Sequence, residues 1–191
     1  AEDVLAHDDE ARFLRGAATP SGSPFGPLTG AMREYLRLVP GGLDGCGPLR
    51  PHLALVLPEL GEARASEDRA TLFEALRCGL VTMSRDAPAA ILLDDLQWSD
   101  EATLDVLAAL APTLQDLPLL IVGASRSDEL PRDHPLRRLR HDLRRERVLD
   151  EIALEPLSPA ETAELVAQVL GTPASPHLAG LLHERTGGVP F

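Results

Sequence analysis

Short apolar segments alternate along this chain with longer segments in which apolar residues recur every three or four positions. Ala89 to Leu93 and Leu119 to Ala124 contain no charged residue, and such short apolar runs are typical of strands buried on both faces of a parallel sheet. Ala11 to Gly16 is a further strand candidate, and Val148 to Ala153 is a weaker one because charged residues interrupt it. Strands that alternate with longer helices predict an α/β fold with a parallel sheet.

The segments with helical periodicity predict the helices that cover this sheet. Leu28 to Leu38 is one, and another follows Ser66, a residue type that caps helix starts. A third lies between the two apolar strands. The apolar positions predicted to be buried on these last two helices are Leu72, Phe73, Leu76, Leu80 and Met83, then Leu104, Leu107, Leu110 and Leu114, with Val106 at the edge of the stripe.

The composition changes after residue 155, where a smaller helical part is predicted to begin. The run Ser158 to Glu161 combines a helix cap, a proline at the first helical position and a glutamate three residues after the cap. This run predicts a helix that ends near Leu170, and a second helix follows over about residues 177–185. We therefore predict a core over residues 1–155 and a helical subdomain over residues 156–191.

The composition also limits the class of protein. A chain of 191 residues with 44% hydrophobic residues can bury one substantial core. The net charge of -12 argues against non-specific attraction of the whole chain to nucleic acid or to anionic lipid, so any DNA contact is expected from a domain outside this chain. The chain has two cysteines without a C-x-x-C pair, and its apolar runs are too short to span a bilayer. These features favour a cytoplasmic protein without disulfide bonds.

Two adjacent acids, Asp94 and Asp95, follow the first apolar strand directly. Burying a carboxylate without a partner is costly, so acids at the end of a buried strand are expected to meet a cation, usually a metal ion. In the functional interpretation, Asp94 holds Mg2+ and Asp95 orients the water that attacks a terminal phosphate. In the structural interpretation, the two acids only begin a loop and help to start the following helix.

The second apolar strand ends in a polar turn that contains Ser125 and Arg126. The carboxyl ends of parallel strands meet at one edge of the sheet, where ligands collect. Arg126 could therefore bind a terminal phosphate through paired hydrogen bonds. Alternatively, it is a loop arginine that pairs with Asp128 or Glu129.

Two other segments have both a functional and an ordinary interpretation. The seven arginines from Arg132 to Arg147 could contact nucleic acid or reach a neighbouring active site, but the spacing of Leu136, Leu139 and Leu143 favours an exposed amphipathic helix. The run Gly187 to Pro190 contains the residue types that commonly end helices. The histidines have no metal-binding spacing, so no zinc site is predicted.

Several segments, taken in this order, resemble one family of ATPases. Asp94 to Leu104 resembles the Walker B region of the AAA-like, STAND-class ATPase domains of large LuxR-type transcriptional regulators. Ser23 to Leu28 resembles the loop and helix after that family's second strand, and Leu120 to Arg126 resembles its sensor strand. Leu154 to Ser158 and Glu184 to Phe191 resemble the entry to the family's helical lid and the lid's G-x-P element.

The resemblance implies a P-loop NTPase-like core followed by the start of a helical lid, with ATP and Mg2+ as cofactors. The residue roles that it implies are Mg2+ for Asp94, the catalytic water for Asp95, the terminal phosphate for Arg126, and the base for Gly188 and Pro190.

Two departures from the family's pattern change the expectation. Val189 stands where asparagine is frequent, and the phosphate-binding loop G-x-x-x-x-G-K-[ST] is absent from a chain that has no lysine. Because Ala1 resembles the interior of the helix after that loop, the chain is expected to start just downstream of it, without the first strand. Such a chain is expected to bind nucleotide weakly or not at all by itself, and to be inactive alone.

The sequence therefore favours an ATP-binding and hydrolysing switch domain of a signal-responsive transcriptional regulator, with nucleotide-dependent self-association as a possible property. The alternative is a non-catalytic protein-interaction module derived from a triphosphatase domain. A metal-dependent phosphate-ester hydrolase built on Asp94 and Asp95 is a third candidate, but the chain lacks the additional ligands that such sites need.

Overall fold

The structure is a computed structural model that describes residues 11–64, 68–126 and 130–190. The chain folds as two compact units, one up to Asp150 and one from Glu151. The interpretation of these units as an ATPase core and a lid, with the boundary at residue 156, stays a prediction. None of the helices in the described ranges is long and apolar enough to cross a membrane.

A parallel sheet forms the centre of the first unit. Its strands are β1 (Arg12–Ala17), β2 (Ala89–Asp94) and β3 (Leu119–Gly123), with β2 in the middle. The register pairs Ala17 with Asp94 and Leu93 with Gly123, so the carboxyl ends of all three strands lie at one edge. The α/β class and these three strands confirm the prediction from the apolar pattern.

The predicted strand over Val148 to Ala153 is wrong, because this segment has no regular structure. A strand needs a neighbouring strand for its backbone hydrogen bonds and a packed surface for its side chains. This segment lacks the packed surface, since Ile152 is 86% exposed.

The helices of the first unit agree with the periodic segments. α3 begins at Arg69 with Asp68 as its cap, whereas the cap predicted at Ser66 lies outside the described residues. Short 3-10 turns occur at Asp44–Leu49, Pro58–Leu60 and Leu96–Trp98. The helix bounds are α1 (Gly26–Leu38), α2 (Arg50–Leu53), α3 (Arg69–Met83), α4 (Glu101–Leu114) and α5 (Pro135–Arg145).

The core lies on one face of the sheet. Leu14, Ile91 and Leu93 are fully buried there, and α1 packs against β1 and β2. All four predicted leucines of α4 are buried, as is Val106, which the sequence placed at the edge of the stripe. On the opposite face of β3, Leu120 and Val122 are 57% and 41% exposed, so the two faces of this sheet are covered unequally.

Two glycines bring β1 and α1 unusually close. A Cβ atom on Gly16 of β1 would lie 1.8 Å from the carbonyl oxygen of Pro27, and one on Gly30 of α1 would lie 3.1 Å from the Cα of Gly16. No side chain fits between these backbones. The absence of a Cβ therefore fixes how close the helix lies to the strand that borders Asp94.

We predict that Gly16→Ala lowers the free energy of unfolding by about 3 kcal/mol, because the added methyl group must displace backbone atoms. The measurement is chemical denaturation followed by circular dichroism. Gly26→Ala at the start of α1 is the matched control, since a Cβ there meets no atom within 4 Å. Equal stability of the two variants would contradict the close approach of strand and helix.

The second unit contains two helices, α6 (Pro159–Leu170) and α7 (Pro176–Thr186), which pack against each other. The predicted helix start is confirmed, because the Ser158 side chain accepts from the Glu161 N–H while the Glu161 carboxylate accepts from the Ser158 N–H. Gly171 ends α6 in the left-handed conformation at φ 68°, a backbone region that glycine adopts without penalty.

Candidate functional site

The end of β2 turns sharply at its two acids. Asp94 is the last residue of the strand, and Asp95 adopts the left-handed conformation with φ 55° and ψ 38° before the turn Leu96–Trp98. This region is uncommon for residues other than glycine, although aspartate tolerates it better than most. Trp98, the last residue of this turn, is 39% exposed.

Asp94 meets a cation from the protein itself. Its Oδ2 lies 3.0 Å from Nη2 of Arg15, and its Oδ1 accepts a hydrogen bond of 3.0 Å from the Asp95 N–H. Arg15 lies two residues before Ala17, the register partner of Asp94, so both side chains project from the same face of the sheet. In the structure the cation beside Asp94 is therefore a guanidinium, a partner that sequence reasoning missed.

Gln97 joins the ends of β2 and β3. Its Nε2 donates to Oδ1 of Asp95 over 2.9 Å, and its Oε1 accepts from the backbone N–H of Arg126 over 3.2 Å. The residue is only 5% exposed, so this bridge is shielded from water. The structure thus places Asp94, Asp95 and the Arg126 turn at the same edge of the sheet. The possible partners Asp128 and Glu129 lie outside the described residues.

A second set of hydrogen bonds holds the loop before α1 against the start of α4. Asp100 caps α4 by accepting from the Thr103 N–H over 2.9 Å, and the Thr103 hydroxyl donates to the same carboxylate. The backbone N–H of Phe25, a residue with φ 61°, is 3.0 Å from the Thr103 oxygen and 3.2 Å from Oδ2 of Asp100. The Asp100 carboxylate therefore has a structural role, because it holds the start of α4 and the loop before α1.

The basic segment forms the amphipathic helix α5, with Leu136 and Leu139 buried. His134 caps it, because its Nδ1 accepts from the Leu136 N–H over 3.1 Å. This leaves Nε2 to donate to the backbone oxygen of Gln97 over 3.0 Å. This histidine thus connects the start of α5 to the residue that bridges the two strand ends.

The two predicted base-binding residues lie together in the second unit. Gly188 and Pro190 line an apolar groove of about 440 Å³ between α6 and α7, within the usual size range of small-molecule sites. Gly188 is buried, and a Cβ on it would lie 2.2 Å from the Leu157 carbonyl oxygen. The Leu157 N–H donates to the Gly188 carbonyl over 2.8 Å, which fixes this turn.

The cysteines belong neither to the residues around Asp94 and Asp95 nor to the groove beside Gly188 and Pro190. Cys46 is buried, and burial raises the pKa of its thiol to about 12. The thiol therefore stays protonated at neutral pH, and a protonated thiol is a poor nucleophile.

The carboxylates fit a magnesium ion that arrives with phosphate. Mg2+ in nucleotide sites takes one or two carboxylates together with phosphate oxygens and water. The Asp94 side chain is 31% exposed and already attracts a positive group. Within the described ranges, no three potential metal ligands gather, so these residues do not form a cage that would hold a cation by themselves.

The sheet, its order and the acids at its carboxyl edge define an α/β domain with a P-loop NTPase-like core. The chain belongs to the AAA ATPase domain family, whose model matches residues 1–122. The matched region ends within β3, so it contains Asp94 and Asp95 but neither Arg126 nor the second unit. No curated protein and no solved structure matches the chain.

We predict that Gln97→Glu destabilises the first unit by about 2 kcal/mol at neutral pH, because the Asp95 carboxylate loses a donor and meets a like charge. That repulsion raises the pKa of the new carboxyl group in the folded state above its value in the unfolded state. The new carboxyl group therefore contributes to stability at low pH, and this contribution is lost as the pH rises. The difference in the free energy of unfolding between wild type and Gln97→Glu should shrink on acidification.

The measurement for Gln97→Glu is urea denaturation at neutral and at acidic pH. Gln115→Glu is the control, since Gln115 is exposed at the end of α4 and its amide donates only to the Pro112 carbonyl at 3.4 Å. A deficit that is the same at both pH values, or equal in both variants, would argue against the bridge.

Proposed function

We propose that this chain is the ATP-binding and hydrolysing switch domain of a signal-responsive transcriptional regulator whose DNA-binding domain lies outside the chain. The observation that carries the proposal is the arrangement of Asp94, Asp95 and Arg126 at one edge of a parallel sheet in an AAA ATPase domain. The resemblance of Asp94 to Leu104 to the Walker B region of LuxR-type regulators supports the regulatory setting. The proposal includes a cytoplasmic location and nucleotide-dependent self-association.

Asp94 is proposed to hold the cation that accompanies the triphosphate. Its ion pair with Arg15 is partly open to solvent, since the two side chains are 31% and 52% exposed. Such ion pairs contribute only about 0–1 kcal/mol, so a divalent ion can displace the guanidinium. Bound Mg2+ would neutralise charge on the phosphate oxygens.

Asp95 is proposed to orient the attacking water. Gln97 holds its Oδ1, and among the described residues no protein group donates to its Oδ2, so that oxygen is available to accept a hydrogen bond from water. Gln97 also fixes the backbone of Arg126, from which the guanidinium would reach the terminal phosphate. Paired hydrogen bonds from a guanidinium match phosphate oxygens well.

In the second unit, the groove beside Gly188 and Pro190 is proposed to receive the adenine base. Its lining is mostly aliphatic, including Val166, Val169 and Leu182. A flat aromatic base gains from burial against such a surface.

The missing phosphate-binding loop sets the expected affinity. The motif G-x-x-x-x-G-K-[ST] does not occur in these 191 residues, and its backbone N–H groups and lysine supply most contacts to the phosphates in P-loop proteins. We therefore expect weak binding by this chain and tighter binding by a parent protein that supplies the loop.

We predict that Asp94→Ala weakens Mg2+-dependent ATP binding by the parent protein at least about tenfold, because the cation loses its carboxylate. Asp95→Asn is expected to keep binding but to lower kcat about a hundredfold, because the attacking water loses the carboxylate that orients it. A fluorescent ATP analogue, titrated with and without Mg2+, measures the first effect, and phosphate release measures the second.

Asp116→Ala is the control for both substitutions, since Asp116 is an exposed acid beyond α4. If the Asp94→Ala protein binds Mg2+·ATP as well as wild type, the switch assignment is wrong. The non-catalytic interaction module then becomes the better account.

We predict that Pro190→Ala weakens ATP binding roughly threefold to tenfold, because each CH₂ group buried against the base contributes about 0.8 kcal/mol. Pro173→Ala, in the exposed loop between α6 and α7, should leave the affinity unchanged. Comparing ATP with triphosphate alone separates base binding from phosphate binding. An equal loss for both ligands would rule out a base contact at Pro190.

A further inference from the structure

The outward side of α5 carries positive charge without an intervening acid. Leu136 and Leu139 face the core, and Leu143 packs beside them. Helical spacing places five exposed residues on the opposite side. These residues, which we name the arginine face, are Arg137, Arg138, His141, Arg144 and Arg145. Asp142 lies at the border of this face and is half-buried.

Some arginines of other helices in this protein pair with acids. Arg77 of α3 donates to both carboxylate oxygens of Glu74, at 2.8 and 2.6 Å, and Arg69 pairs with Asp105 at 2.7 Å. Across the described ranges, by contrast, neither Arg138 nor Arg145 has an acid within ion-pair distance. The charge on these two arginines is thus left for a partner.

Stability alone does not account for the arginine face. Arg137 donates to the carbonyl oxygens of Leu130 and Pro131, at 2.8 and 2.9 Å, but these neutral acceptors do not cancel its charge. Neighbouring arginines on one helix repel each other, and each pair of like charges three or four residues apart destabilises a helix by about 0.2–0.5 kcal/mol. Only the last-turn arginines gain from the helix dipole.

The charge of the remaining chain decides between kinds of anionic partner. Residues 132–147 contain seven arginines and three acids, whereas the rest of the chain contains 11 arginines and 27 acids. α5 is about 16 Å long, and a nucleic-acid duplex is a much longer rod with a charge every ~1.7 Å. Such a rod would extend beyond the arginine face and be repelled by the acidic remainder of this chain, whereas a short segment would not.

We propose that the arginine face is a docking surface for a short acidic segment of a protein partner. Two or three carboxylates, spaced along an extended or helical peptide, match arginines seven residues apart such as Arg138 and Arg145. His134 and Gln97 connect the start of this helix to the edge of the sheet, so the docking surface lies on the element that begins beside the Arg126 turn.

The test is fluorescence anisotropy with a labelled peptide of alternating glutamate and glycine, titrated with this chain at low and at high salt. Binding should weaken with salt and should fall at least about tenfold in the double variant Arg138→Glu with Arg145→Glu. The double variant Arg37→Glu with Arg64→Glu changes the net charge equally at exposed positions elsewhere and should bind like wild type. Circular dichroism reports whether charge reversal impairs folding. If it does, the double variant Arg138→Gln with Arg145→Gln is used instead, and its loss of peptide binding should be smaller.

Three results would overturn the proposal. The first is no binding of the peptide at low salt. The second is an equal loss in both charge-reversal variants, which would mean that only net charge matters. The third is tighter binding of a single-stranded oligothymidylate with the same number of charges, which would assign the arginine face to nucleic acid.

Discussion

The buried amide of Gln97 is the contact on which the candidate site depends. Parallel pairing brings the ends of β2 and β3 to one edge, but it does not fix the loops that follow them. Gln97 fixes both, because one end of its amide donates to Asp95 and the other accepts from the Arg126 N–H. An acid or a hydrocarbon at this position would leave one of these partners unsatisfied in a buried place, at a cost of about 1–3 kcal/mol. Asparagine has the same two groups but a shorter reach.

The surrounding backbone is held just as closely. Gly16 and Gly30 let α1 approach β1 without a side chain between them, and this sets the position of the loop that begins α1. Phe25 in that loop then donates to Thr103 and Asp100 at the start of α4, the helix that follows the acidic turn. The edge of the sheet is thus bordered by two helix starts that are hydrogen-bonded to each other. A rigid border of this kind keeps carboxylates in position better than a mobile loop does.

Local patterns predicted most of the fold, and tertiary contacts explain the rest. The strands, the leucine stripe of α4 and the cap at Ser158 depend on residues close together in sequence, so the sequence suffices to find them. Val148 to Ala153 was predicted from the same kind of pattern and is not a strand, because a strand also requires a neighbour. Arg15, Gln97 and His134 were given no role, since their partners are set by strand register and loop geometry. The pairing of Arg15 with Asp94 becomes visible only once Ala17 is aligned with Asp94.

The ion pair between Arg15 and Asp94 bears on what kind of site this edge can be. A site for a resident metal gathers several ligands and would leave bare carboxylates repelling each other when empty. Here Asp94 has an internal cation as its partner, and its second oxygen accepts the Asp95 N–H, so the carboxylate is satisfied without any ligand. A hydrated cation with phosphate would offer the same carboxylate a second, competing partner. Under the proposed function, the cation-bound form would be a second satisfied arrangement of this residue, which suits a ligand that comes and goes better than a permanent metal centre.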